Sequence, residues 1–275
     1  MTQIPNHSHT VTKMGILRFT SLLTVSMGYY FSSVALAEEP SPKVEISENT
    51  SPVPSSVKKP EFIKVNATTY RLGVIEIDTK KRSISFDATT EITENLIEYV
   101  LVNPEGKIHE SLFVTNASPT NLNIAFKLLG FQENKSLFRE FVNDLPTETF
   151  QEASDEQKAE SYFKIDVSWL DPKSNKPISH NINELIINEQ TKETIGTAES
   201  TAKWSYGGSF IHKGQFIAEL NRDIIAVFTD RSVVANYTGK GREDDTLWFP
   251  LTKKVPTFGT KVKLTITPEF PVKKK

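Results

Sequence analysis

From Thr69 onward, apolar and polar residues alternate with a period of two, the mark of strands with one buried face. "YRLGVIEI" and "SISFDATTEI" carry the alternation on either side of the polar "DTKKR", which predicts strand, turn and strand. "LIEYVLV" and "IHESLFVT" flank "NPEGK", where Pro104 and Gly106 supply turn geometry, so a second hairpin is expected. The period then changes. Leu122, Ala125, Phe126 and Leu129 fall at i, i+3, i+4 and i+7, with Ile124 and Leu128 widening the stripe, and predict a well-buried helix. Ser118 is placed to cap it, Pro119 suits its first position, and Gly130 can end it in the left-handed conformation.

Residues 132–160 are mostly polar around an amphipathic "SLFREFV" and are expected to form a partly helical excursion from the domain. Strands resume at "SYFKIDVSWL", which turns at "DPKSNK", while "NINELII" suggests a short helix. "WSYGGSFI", "QFIAEL", "IIAVFTD" and "KVKLTITP" are further expected strands, with "NRD" as a tight turn. Hairpin-grouped strands with few helices and no regular βα alternation argue for an α+β fold. The expected architecture is one domain rich in antiparallel β-hairpins, with one buried helix and one or two short ones.

The ends of the chain read differently. Residues 1–37 contain no acid and two strong bases, Lys13 and Arg18, before the apolar "FTSLLTVSMGYYFSSVALA". This is the pattern of a secretory signal peptide cleaved after Ala37, with Met14 an alternative start. Thr, Ser and Gly interrupt the run too often for a membrane anchor, and no other stretch is apolar enough to span a bilayer. Residues 38–59, rich in Pro, Ser and Glu with no aromatic, are expected to be a disordered spacer. The fold should then occupy residues 60–271 and leave 272–275 as a basic tail. The expected setting is the periplasm or the extracellular space, with the protein soluble once the leader is removed.

Composition narrows the chemistry. With 0 cysteines there is no disulfide, thiol nucleophile or thiolate metal site. The chain carries 32 bases and 34 acids, so it lacks the basic field that holds nucleic acid.

"LVNPEGKIHESLFVTNASPTNLNIAFKLLG" resembles the hallmark of the YdjY-type domain found in exported bacterial proteins. "NELIINEQTKE", "WSYGGS", "IAELNRDIIAVFTDRSVVAN", "DDTLWFPL" and "VPTFGTKVKLTITP" follow the same order, so the likeness runs with gaps from Leu96 to Pro268. It implies a bacterial envelope setting and carries no established reaction. Some relatives carry cysteine-rich iron–sulfur modules, and without cysteine nothing of that kind transfers.

The chemistry-bearing candidates are His109, Glu110 and Ser111 in the first block, Asp244 and Asp245 in "GKGREDDTLW", and Trp204 and Tyr206 in "WSYGGS". On a strand, His109 and Glu110 would point to opposite faces and could not converge on one atom. Glu110, in phase with Ile108, Leu112 and Val114, would point inward, with Tyr99 opposite it if the turn has four residues. Three readings follow: a structural carboxylate bonded to backbone or Tyr, a general acid–base group with raised pKa, or an exposed residue where alternation breaks. The first is preferred because buried carboxylates are usually internally bonded. Ser111 lacks the G-x-S-x-G surroundings of a serine nucleophile. His109, His180, His212, Asp244 and Asp245 are potential metal ligands, but no close His pair occurs in the folded part. Asp244 and Asp245 are better explained as turn residues bonded to backbone N–H groups. Trp204 and Tyr206 could stack on a sugar, although a Trp on a strand is more often core. "GKGRED" lacks phosphate-loop spacing.

The leading expectation is a non-catalytic envelope module that binds a partner protein or small ligand, without cofactor or metal. The alternative is a hydrolase or metal-assisted enzyme using Glu110 with His109 or with Asp244 and Asp245. A glycan-binding domain is the third.

Overall fold

A computed structural model describes residues 61–198 and 203–271. The expected leader ending at Ala37, the expected spacer 38–59 and the expected tail 272–275 lie outside the described residues. Strands β1 (Phe62–Lys64), β2 (Thr69–Leu72), β3 (Ile75–Asp78) and β4 (Ser83–Thr90) form an antiparallel meander. The expected "DTKKR" turn joins β3 to β4. "YRLGVIEI" is two strands instead of one, because the chain reverses at Gly73 and Val74 and pairs Leu72 with Ile75.

Strands β5 (Tyr99–Val102) and β6 (Ser111–Val114) are neighbours, but they run parallel, with Tyr99 opposite Ser111. The expected hairpin is therefore absent. Residues 103–107 do not close a two-strand turn; they lead into a 3-10 turn, Ile108–Glu110, that carries the chain back to the start of β6.

Helix α1 (Pro119–Leu128) forms as its periodicity predicts, with Leu122, Ala125 and Phe126 buried. The Ser118 side chain accepts from the Asn121 N–H, Pro119 stands in the first turn, and Gly130 follows at φ +84°. Leu128 is a correction: it is 52% exposed, on the solvent side of the helix.

The 132–160 excursion holds a 3-10 turn at Lys135–Leu137, a ribbon of β7 (Arg139–Val142) and β8 (Leu145–Phe150), and α2 (Asp155–Ala159). "SLFREFV" is thus mainly turn and strand, not helix. Asn143 and Asp144 both take positive φ, the geometry of a tight ribbon turn that Asn and Asp tolerate. Next come β9 (Tyr162–Leu170) and β10 (Pro177–Asn181), paired across the expected "DPKSNK" turn. β11 (Ile186–Asn188) follows a 3-10 turn at Ile182–Glu184, where a short helix was expected. Short elements follow: α3 (Ile195–Ala198), β12 (Trp204–Tyr206), β13 (Ile211–His212) and β14 (Gln215–Phe216).

The expected strand "QFIAEL" mostly becomes α4 (Ile217–Asn221), a tertiary effect. Ser209 Oγ accepts the Ala218 N–H, and Glu219 accepts from the Ser118 hydroxyl and the Thr120 N–H, so α4 caps α1. β15 (Asp223–Ala226), β16 (Ala235–Tyr237), β17 (Trp248–Pro250) and β18 (Lys261–Pro268) complete the chain.

Pairing runs β4–β18–β9–β12–β16–β15–β5–β6, and β6 returns to β4, so eight strands close into a barrel-like ring. The structure is mostly strand with few helices, which agrees with the expected content; closure was not foreseen. Parallel pairs β5–β6 and β15–β16 interrupt an otherwise antiparallel ring. Closure removes edge strands from the ring itself. Ile84, Phe86 and Ala88 face Ile266, Leu264 and Val262 across one pairing, and β9 adds Ile165 and Val167 to the same buried layer. The other face of β9 carries Lys164, Asp166 and Ser168, so Phe126, 5.2 Å from Phe163, packs α1 onto the inner side.

Candidate functional site

The first sequence block builds a polar cluster around Lys107, which the sequence reasoning passed over. Lys107 has φ −79° and ψ +63°, and the Ile108 N–H donates to the Gly106 carbonyl across it. That is an inverse γ-turn. The turn is pinned from outside: the Lys107 N–H donates to Asp223 Oδ1 at 3.1 Å, and the Asn103 N–H to the Arg222 carbonyl at 2.8 Å. A Cβ at position 106 would lie 2.8 Å from both the Arg222 oxygen and Asp223 Oδ1, so only glycine lets this loop close on β15.

Held there, Lys107 Nζ donates to the Tyr99 hydroxyl at 3.0 Å and lies 3.6 Å from Glu98 and 3.8 Å from Glu110. Tyr99 in turn donates to Asp230 Oδ2 at 3.3 Å. Burial, then the charges of Asp230 and Asp223, push the Tyr99 phenol up, so it stays a neutral donor and not a phenolate base. Burial likewise raises Asp223, outweighing the Lys107 N–H. Glu98 is raised by burial and next by Glu110, against the pull of Lys107, with Asp245 adding to the rise.

His109 and Glu110 do not diverge as strand neighbours, because they occupy the 3-10 turn; His109 Nε2 lies 3.4 Å from Glu110 Oε1. His109 is nonetheless 74% exposed and faces solvent. Glu110 bonds to neither backbone nor Tyr99; Lys107 mediates, and Oε2 is buried with no hydrogen bond. Ser111 is buried and donates to the Lys107 carbonyl, which removes it as a nucleophile. Asp244 accepts from the N–H and hydroxyl of Thr246, as the turn reading expects, and those bonds hold its pKa low. Asp245 is exposed and reaches the cluster only through its charge on Glu98.

The histidines stay apart, each beside its own carboxylate: His180 by Glu184, His212 by Asp144. Among the described residues no three His, Asp or Glu side chains gather around one point.

Trp204 and Tyr206 are core, at 1% and 0% exposure, which corrects their candidacy as an open stacking platform. Trp204 donates to Asn183 Oδ1 at 2.7 Å, and Tyr206 stacks 4.7 Å from Phe126 and donates to Asn123. The glycines of "WSYGGS" do permit close approach, but to the protein itself: the Phe138 ring presses on Gly207 and the Glu133 side chain on Gly208.

Beside Tyr99 lies a second feature the sequence did not announce. The Phe228 ring packs edge-on to Tyr99 at 5.8 Å and also lines a cleft of about 310 Å³ roofed by the β7–β8 ribbon. Phe138, Phe141 and Phe150 line it with Asp230 and Arg231. Arg231 is clamped between rings, 4.1 Å from Phe141 and 3.9 Å from Phe210. A larger hollow of about 420 Å³ between Val74, Pro104 and Thr115 has Asp87 as its one acid, so size alone does not locate the chemistry.

The model of the YdjY domain matches residues 75–267, from the start of β3 to the penultimate residue of β18, and so takes in every strand of the closed ring. The chain belongs to the YdjY domain family. The match starts earlier than the resemblance from Leu96 and adds β3 and β4. No curated protein and no solved structure matches. Within this YdjY domain the Lys107 loop, β5 and Asp223 build the polar cluster, and the ribbon of residues 139–150 lines the neighbouring cleft with Phe228 and Asp230. Among the described residues no helix is long and apolar enough to cross a membrane.

Proposed function

We propose that this YdjY domain serves as an exported, non-catalytic module of the bacterial envelope that binds a partner or small ligand through the β7–β8 ribbon and the cleft beneath it. The carrying observation is a contrast in saturation. Around Tyr99 the side chains of Lys107, Glu98, Asp223 and Asp230 engage one another or neighbouring backbone. The ribbon instead turns Phe141, Val142, Leu145 and Phe150 to solvent, Leu145 being 70% exposed. A two-stranded ribbon with apolar side chains outward is a surface that partners use. Export is supported by the pattern of residues 1–37 and the envelope setting by the family.

The test is site-specific photocrosslinking in the native envelope. A crosslinker at Val142 or Leu145 should yield a discrete adduct that the same group at exposed Leu170 does not. Identical behaviour at all three positions counts against the reading.

One observation favours catalysis instead: Glu110 Oε2 is buried without a hydrogen bond, beside His109. A hydrolytic activity of the purified protein that disappears in Glu110→Gln would establish that alternative.

A further inference from the structure

The cleft under the ribbon carries a cation whose hydrogen-bond donors have no protein acceptor among the described residues. Arg231 has five N–H donors in a flat fork. Its faces are covered by Phe141 and Phe210, yet among the described residues its guanidinium makes no hydrogen bond and has no carboxylate within 4 Å. Every other charge on the lining is engaged. Arg139 donates to the Thr147 carbonyl and Glu148, Glu243 accepts from Arg242, and Asp230 accepts from Tyr99 and from the Ser232 N–H. Asp144 acts on Arg231 only through its charge and, exposed at the ribbon turn, lies 3.8 Å from His212.

An Arg stacked between two rings is held in one orientation, so its forked edge is preorganised at no further entropic cost. The surrounding wall is aromatic: Phe138, Phe150 and Phe228. A volume of about 310 Å³ lies at the low end for small-molecule sites. Apolar walls with one unpaired planar cation match a small apolar body ending in a carboxylate, which takes the fork with two parallel N–H···O bonds.

Resting on the binding-module reading, we infer that the cleft between the β7–β8 ribbon and the Phe228–Arg231 segment is a site for a small aromatic or aliphatic carboxylic acid, its carboxylate paired with Arg231 and its body among the phenylalanines.

The test is calorimetric or NMR titration of the purified protein with 3-phenylpropionate and, in parallel, with 3-phenylpropionamide, the same body without charge. The acid should bind at least about tenfold more tightly, since a charge-assisted bidentate pair is worth roughly twice a neutral bond. Arg231→Lys, which keeps the charge and loses the fork, should weaken the acid about tenfold and leave the amide unchanged. Arg71→Lys, on β2 and outside that lining, should change the acid less than about twofold; near-UV circular dichroism verifies that each variant keeps its fold. Equal binding of acid and amide, no binding of either, or full acid affinity in a folded Arg231→Lys protein overturns the carboxylate assignment while leaving ribbon crosslinking to stand. Consumption of the probe, lost in Glu110→Gln, would overturn the binding-module reading with it.

Discussion

Lys107 and Arg231 lie close together in the fold, linked through Tyr99 and Asp230, yet they are used in opposite ways. Lys107 has Tyr99, Glu98 and Glu110 within 4 Å, and its own backbone N–H is taken by Asp223. Arg231 has two phenyl rings and no acid in that range among the described residues. One cation ties a loop to the barrel; the other stands in a cleft with no protein acceptor among the described residues. The lesson is that a charged residue in a hollow becomes a site only when the fold leaves it unsatisfied. An equally charged neighbour with its partners in place is structure.

The largest expected effect belongs to the core on which both regions rest: Phe126→Ala, which removes the ring between Phe163 and Tyr206, should cost about 3–5 kcal/mol in denaturant unfolding. Gly106→Ala should cost about 1–3 kcal/mol, because the new methyl meets the Arg222 carbonyl and Asp223. If Lys107 is structural, that substitution should not alter ligand binding in the Arg231 cleft. Lys107→Met should cost about 1–2 kcal/mol, less than a fully buried pair, because the side chain is half exposed and screened. A loss comparable to Phe126→Ala would mean the cluster is more central than its exposure suggests.

The pH dependence has a definite sign. Burial raises the Asp223 pKa in the folded state, so the folded protein holds that proton more tightly than the unfolded chain. The stability this contributes is complete below the unfolded value near 3.9 and is lost as pH rises through the folded value. Asp223→Asn keeps an acceptor for the Lys107 N–H and removes the charge. Its stability relative to the parent should therefore improve from pH 3 to pH 7 in parallel denaturation curves; a variant that instead loses stability relative to the parent over that range would show the ionised carboxylate to be stabilising. The smallest effect is at His109, where Ala should change stability by less than about 0.5 kcal/mol, since the ring faces solvent.

Much of the frame was legible because its cause is local. The alternation in "SISFDATTEI", "SYFKIDVSWL" and "KVKLTITP" needs only one buried face per strand, and the three segments became β4, β9 and β18. The α1 stripe, its Ser118 cap and Gly130 are likewise set by neighbours in sequence. The misplacements share another origin. "IHES" has the alternation of a strand start, yet Asp223 and Arg222, more than a hundred residues away, grip the Asn103–Lys107 loop and turn Ile108–Glu110 into a 3-10 turn. "QFIAEL" has strand composition, yet contacts to Ser209 and α1 wind most of it into α4. A missed signal was available in "VNDL", where Asn and Asp mark the ribbon turn.

By itself the sequence determined the faces of β4, β9 and β18, the buried helix and its caps, the absence of thiol chemistry and the membership of the YdjY domain family, all of which depend on residue type and short spacing. Only the tertiary structure decided that the ring closes, that His109 and Glu110 share a turn, that Trp204 and Tyr206 are core, and that among the described residues Lys107 has acidic partners and Arg231 has none within 4 Å. Pairing and burial depend on which distant atoms arrive within a few ångströms, and that is a property of the folded chain as a whole.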